Sequence, residues 1–247
     1  MKKIRVGAVS YLNTKPLLYG IKKHSIISEI ELTEDYPAKI AQQLINDEID
    51  IGLIPVAVIP KLKEWFIVGD YCIGAESPVA SVCIFSEQPI EKITTVYLDY
   101  QSRTSVRLAQ LLLKEYWKLE PKFIDATNED FRDEIKGTAA GVVIGDRALQ
   151  QRKKSKFIYD LGETWIKHTG LPFVFAAWIS NKKLPQSFIE PFNEANGFGL
   201  QHLDDVVKEN SVPYYNMMEY FSKNISYYLT DEKRKGLELF LSKINNS

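Results

Sequence analysis

Apolar positions in the first half of the chain switch between a strand period and a helix period. Residues 4–10 form a short β-branched run, and residues 14–23 carry Leu17, Leu18 and Ile21 at helical spacing. Residues 27–34 read as a second strand. Pro37 suits the first position of the next helix, with Ile40, Ala41 and Leu44 on one face. Residues 49–54 form a third strand that Pro55 ends, and 65–69 and 79–86 read as two more.

A second series follows. Residues 94–98 are a strand, and 105–117 are a helix carrying Val106, Leu108, Ala109, Leu111, Leu112 and Leu113. Residues 122–125 are a strand, Thr127 caps a short helix, 139–144 are a strand, and a helix begins over 146–151. Gly170 reads as a helix stop before a long apolar strand at 171–180. The rest reads as helical over 185–207, 216–223 and 230–244, with Thr230 as the last N-cap.

Strands separated by helices imply parallel pairing and an α/β fold class. Two such series and a helical tail imply two lobes with a ligand cleft between them. The expected division is residues 1–86 plus 175–247 in lobe 1 and 87–174 in lobe 2. Two segments echo each other: DIGLIPVAV and AGVVIGDRAL both run from a small-residue turn through a buried strand into a helix. Any two βα units share that pattern. It also fits two related lobes that each present a strand end to one cleft.

Composition narrows the function. The 247 residues carry a net charge of −1, so no basic field attracts nucleic acid or an anionic membrane. An anionic ligand must be held by local donors. The longest apolar stretches, 51–60 and 171–179, are too short for membrane insertion. Arg5, Asn13 and Lys15 interrupt the start MKKIRVGAVSYLNTKP, which has no small-residue cleavage site, so a cytoplasmic location is expected. Cys72 and Cys83 are not expected to pair in a reducing compartment. His24, His168 and His202 are scattered, with no metal-ligand spacing. Nothing in the pattern fixes an oligomeric state.

Ligands of open α/β sheets sit beyond the carboxyl ends of strands, where helix N-termini offer N–H groups to anions. Two strand-to-helix junctions are rich in small polar residues: SYLNT at 10–14 and DYQSRTS at 99–105. Asn13, Thr14, Ser102 and Thr104 read first as helix caps, and the pairing of two junctions raises a second reading, donors on both walls of one cleft. Ser81 has no GxSxG elbow and no histidine placed to activate it. Asp146 reads as a helix cap, Arg152, Lys153 and Lys154 as a solvated surface, and Trp165 and Trp178 as core. The residues alone therefore give a two-lobed α/β protein for a small anion.

YLNTKPL, IDIGLIPV, SPVASV, LDYQSRTS, GVVIGDRAL, DLGETW and TGLPFVFAAW occur in the order found in chorismate dehydratases, which the chain resembles from about Arg5 to Trp178. The SPCPNDT-like opening of the sister dihydroxynaphthoate synthases is replaced by SYLNTKP. The resemblance implies a two-lobed fold of the periplasmic-binding-protein type II kind. It implies loss of water from the dianion chorismate to give 3-[(1-carboxyvinyl)oxy]benzoate, the opening step of the futalosine route to menaquinone, with neither metal nor organic cofactor. By the same resemblance Asn13 and Ser81 are expected to act on the substrate. Tyr11, Thr14, Ser102, Thr104, Ser105, Gly145 and Asp146 are expected to bind it. Asp146 as general base is the rival assignment. A non-catalytic binding protein for a small carboxylate is the alternative function. The ligand-sensing half of a LysR-type regulator is a further one, but the chain starts on a strand and not on a helix-turn-helix.

Overall fold

A computed structural model of the protein describes residues 3–245. The strands are β1 (Ile4–Val9), β2 (Ile30–Asp35), β3 (Ile51–Pro55), β4 (Phe66–Ala75), β5 (Val82–Ser86), β6 (Thr95–Leu98), β7 (Lys122–Asp125), β8 (Ala139–Ile144), β9 (Phe157–Asp160), β10 (Phe173–Ser180) and β11 (Ser226–Tyr228). They build two sheets. One has the order β11-β4-β10-β3-β1-β2 and the other β7-β6-β8-β5-β9. In each sheet parallel βα pairs stand beside antiparallel strands: β1 is parallel to β2 and β3, and β10 is antiparallel to β3 and β4. Likewise β6 is parallel to β7 and β8, and β5 is antiparallel to β8 and β9.

The helices are α1 (Lys15–Lys23), α2 (Pro37–Ile45), α3 (Thr104–Glu115), α4 (Gly145–Gln151), α5 (Leu161–Thr169), α6 (Gln186–Gln201), α7 (Leu203–Glu209), the short α8 (Met217–Glu219) and α9 (Asp231–Asn245). Helix packing against the first sheet depends on two small residues. A Cβ on Gly20 would stand 1.8 Å from the Ala195 carbonyl oxygen, and one on Gly199 would stand 1.8 Å from that of Pro16, so α1 and α6 touch backbone to backbone. Strand β10 is buried along its whole length because it pairs on both edges, which explains its unbroken apolar run. Trp165 and Trp178 are fully buried, as the sequence implies.

The chain crosses between the sheets twice, after Ala75 and before Phe173. Strand β5 therefore stands in the second sheet, although Val82–Ser86 lies inside the 1–86 segment assigned to lobe 1, and β10 enters the first sheet two residues before 175. Asp160 ties the first crossing to the start of α5. Its carboxylate accepts the N–H groups of Val79 at 3.1 Å, Ala80 at 2.7 Å and Glu163 at 3.0 Å. That support holds Ala80 at φ +63°, a conformation uncommon for a residue with a Cβ.

Several local expectations are corrected. The strand expected to stop at Gly69 continues to Ala75, because Gly69 takes φ +72° and the chain runs on. The strand expected from 27 begins at Ile30, after a 3₁₀ turn capped by His24 Nδ1. Residues 79–81 are crossing, not strand. Asn128, not Thr127, caps the turn that follows it, accepting from the Asp130 N–H at 3.0 Å. The helix expected over 185–207 breaks at His202. Arg152 is not a solvated charge: its guanidinium reaches the Ala80 carbonyl at 3.2 Å and Cys83 Sγ at 3.6 Å. Strands β9 and β11 are short and lacked a readable pattern. Cys72 and Cys83 are free, buried thiols in different sheets.

Candidate active site

The carboxyl ends of parallel strands from both sheets meet at one cavity. Val9 ends β1, Pro55 ends β3 and Ile144 ends β8, and all three line it. Ile73, Val82, Phe175 and Ala176 add apolar wall from the antiparallel strands. Tyr11, Asn13 and Thr14 enter from the loop after β1. Ser102, Arg103, Thr104 and Ser105 enter from the loop after β6 and the start of α3, and Gly145 opens α4. The space between these side chains is about 460 Å³, part of it open to solvent.

Three contacts join the walls. The Tyr11 phenol donates to Gln101 Oε1. The Leu12 N–H donates to Asp146 Oδ1 at 3.0 Å, and the Ala57 N–H donates to Thr104 Oγ1 at 3.2 Å. The YLNT and SRTS segments thus face each other across a single cleft. The two echoing βα junctions supply Pro55 and Gly145 to its lining.

Each polar residue has a definite state. Asn13 Oδ1 accepts the Thr14 hydroxyl at 3.1 Å, and among the described residues nothing accepts from Asn13 Nδ2. Thr14 precedes α1 but makes no side-chain cap. Ser102 does cap: its Oγ accepts the Ser105 N–H at 3.1 Å. Gly145 has φ +63° and its N–H donates to the Ser81 carbonyl at 2.8 Å. A Cβ there would meet the Tyr11 ring at 2.8 Å. Burial pushes the Tyr11 hydroxyl well above its usual range, so it serves as a donor.

Ser81 and Asp146 stand outside the lining. Ser81 is fully buried behind Val82 and Gly145, and its Oγ accepts the Tyr220 hydroxyl at 2.7 Å. Asp146 spends its carboxylate on Leu12 from the opposite wall, and not on a helix cap.

Other residues around the cleft were not singled out by the sequence. Among the described residues Arg103 is the one charged side chain in the lining, and its Nη1 is folded onto the carbonyls of Tyr100 at 3.1 Å and Ser102 at 2.8 Å. Behind it, Arg147 Nη2 donates to both oxygens of the buried Asp99 at 2.8 and 2.9 Å. Asp99 also accepts from the Gln101 and Ile144 N–H groups. Burial pushes the Asp99 carboxyl up and Arg147 opposes that rise, while the carboxylate holds the Arg147 guanidinium in its charged form. Four N–H contacts converge on the Asp99 carboxylate and stabilise its charged form beside Arg147. Asp99, Gln101, Arg103 and Arg147 all lie inside LDYQSRTS and GVVIGDRAL, so the motif positions were visible even though their roles were not.

Residues 4–246 match the model of a protein family described as menaquinone biosynthesis. The chain belongs to this family. Among the family's relatives is a chorismate dehydratase of Thermus thermophilus, 24% identical over 263 residues, covering 97% of this chain and 94% of the relative. Another is a chorismate dehydratase of Campylobacter jejuni, 26% identical over 239 residues, covering 91% and 86%. Among solved structures, a protein of Archaeoglobus fulgidus superposes with a TM-score of 0.73 at 14% identity, over 99% of this chain and 98% of that one. The alkanesulfonate-binding protein of Xanthomonas axonopodis gives 0.65 at 12% identity, over 100% and 93%. A Candida albicans protein described as having the periplasmic-binding-protein fold gives 0.62 at 13%, over 97% and 90%. The chain thus has the two-lobed fold of periplasmic binding proteins. Among the described residues no helix is long and apolar enough to cross a membrane.

Proposed function

We propose that this chain is a chorismate dehydratase, a cytoplasmic hydro-lyase that converts chorismate to 3-[(1-carboxyvinyl)oxy]benzoate and water. The observation that carries the reading is the lining itself. Neutral donors from both walls, with Arg103 as the only charge, suit a small dianion, and no carboxylate or imidazole lines the cleft among the described residues.

Chorismate carries a hydroxyl on a cyclohexadiene ring beside the ether-bearing carbon. Loss of that hydroxyl and of the hydrogen on the ether carbon makes the ring aromatic, so the reaction runs downhill once the leaving group departs. The protein has to fix one conformer and hold both carboxylates. In this reading Asn13 Nδ2 donates to the side-chain carboxylate, which itself takes the ring proton. The N-terminus of α3 at Thr104 and Ser105, with Arg103 beside it, holds the ring carboxylate. Tyr11, Thr14, Ser102 and Gly145 shape the walls. Ser81 supports the Val82–Gly145 wall from behind and meets the substrate only where that wall parts. The lobe division for catalysis is the pair of sheets, 1–86 with 175–247 against 87–174 apart from β5 and the first residues of β10.

The test is direct. Purified protein incubated with chorismate should release the enolpyruvyl benzoate, read by chromatography, and Asn13→Ala should abolish most of the turnover. Tight binding of chorismate without product would instead establish a non-catalytic binding protein.

A further inference from the structure

The two residues expected to act on the substrate receive tyrosine hydroxyls from one C-terminal segment. Tyr220, in the π-helical turn Tyr220–Asn224, donates to Ser81 Oγ at 2.7 Å. Tyr227, on β11, donates to the Asn13 carbonyl at 2.9 Å. Both tyrosines are buried, and burial holds both hydroxyls far above their usual range, so they remain protonated donors. The segment is pinned to the first crossing. Ser77 Oγ donates to the Lys223 carbonyl at 2.8 Å and Asn224 Nδ2 donates to that of Pro78 at 2.9 Å. Tyr215 donates to Asn224 Oδ1 at 3.1 Å and fixes that amide.

We infer that Tyr220 and Tyr227 are positioning residues of the cleft, setting the Ser81 hydroxyl and the Asn13 backbone from behind. This rests on the reading that Asn13 and Ser81 serve the dehydration. The chemistry is specific. Among the described residues the only other partner of the Ser81 hydroxyl is the Val79 carbonyl at 3.5 Å, too long to orient it. With Tyr220 donating to it, the Ser81 oxygen has its own proton free to turn toward the wall. The Ser81 carbonyl meanwhile holds Gly145, whose backbone lines the cavity. Tyr227 acts one step from the ligand: it fixes the Asn13 backbone while Thr14 fixes Asn13 Oδ1, and Nδ2 is left for the substrate. A segment beyond the Arg5–Trp178 stretch of the resemblance thereby becomes part of the catalytic frame.

The experiment is a pair of double-mutant cycles with chorismate turnover as readout. Tyr220→Phe and Tyr227→Phe keep the rings packed. Each should lower kcat about tenfold, the size of one hydrogen bond lost from the transition state, with KM within about twofold. Ser81→Ala with Tyr220→Phe should be no slower than Ser81→Ala alone, and Asn13→Ala with Tyr227→Phe no slower than Asn13→Ala alone. Fold losses that multiply in the double variants, or Phe variants that lower thermal stability with kcat unchanged, overturn the inference. Wild-type turnover in Ser81→Ala and Asn13→Ala would instead overturn the roles of those residues, a different failure from multiplying losses.

Discussion

The Asp146 carboxylate accepts the Leu12 N–H at 3.0 Å, so the start of α4 on one lobe holds the loop after β1 on the other. This contact closes the cleft and removes Asp146 from the cavity lining.

Burial pushes the Asp146 carboxyl above the ordinary carboxylate range, against the pull of the Leu12 N–H. The folded state therefore binds this proton more tightly than the unfolded chain does. Its contribution to stability is greatest in acid and falls as pH rises from the ordinary carboxylate range through the raised value. Asp146→Asn removes that titration and keeps an oxygen for Leu12. Denaturant unfolding across this window should show the variant gaining on the parent as pH rises. Turnover should stay near the parent level. A collapse of turnover would make Asp146 the general base.

Arg147 and Asp99 are a buried pair whose side chains are 10% and 0% exposed. Arg147→Met strands the carboxylate and should cost about 3–5 kcal/mol in urea unfolding. The loss should grow as pH rises through the carboxylate range, because protonated Asp99 needs no cation. Adding Asp99→Asn should recover part of it. A cost under about 1 kcal/mol would mean that solvent screens the pair.

Gly145 has φ +63° and faces the Tyr11 ring. Gly145→Ala should cost about 1–3 kcal/mol from backbone strain. It should also raise KM for chorismate, since the added methyl displaces Tyr11 from Gln101. Steady-state kinetics beside a denaturation curve separates the two effects. An unchanged KM would place Tyr11 outside the binding wall.

The outline of the fold was legible because its main elements are periodic. The βα units from Ile4 to Ile45 and the amphipathic α3 declare themselves by spacing, and the unbroken apolar β10 declares its central place. The short strands β9 and β11 were not legible, since three or four residues carry too little pattern to stand apart from a loop. The break at His202 and the continuation past Gly69 were missed for a related reason. Each depends on backbone angles that neighbours, and not local residue types, select.

The sequence by itself determined the fold class and the two polar junctions, whose Tyr11, Asn13, Thr14, Ser102, Thr104 and Ser105 line the cleft; their assignment to the substrate, and that of Gly145, came from the resemblance to chorismate dehydratases. Local pattern suffices there because strand ends and helix starts have fixed chemistry. Only the tertiary structure decided which groups face inward and which are occupied elsewhere. It turned Asp146 onto Leu12, buried Ser81 under Tyr220, paired Asp99 with Arg147 and brought Tyr227 to Asn13. Those partners lie 48 to 214 positions apart. No local spacing encodes contacts between residues so far apart in the chain.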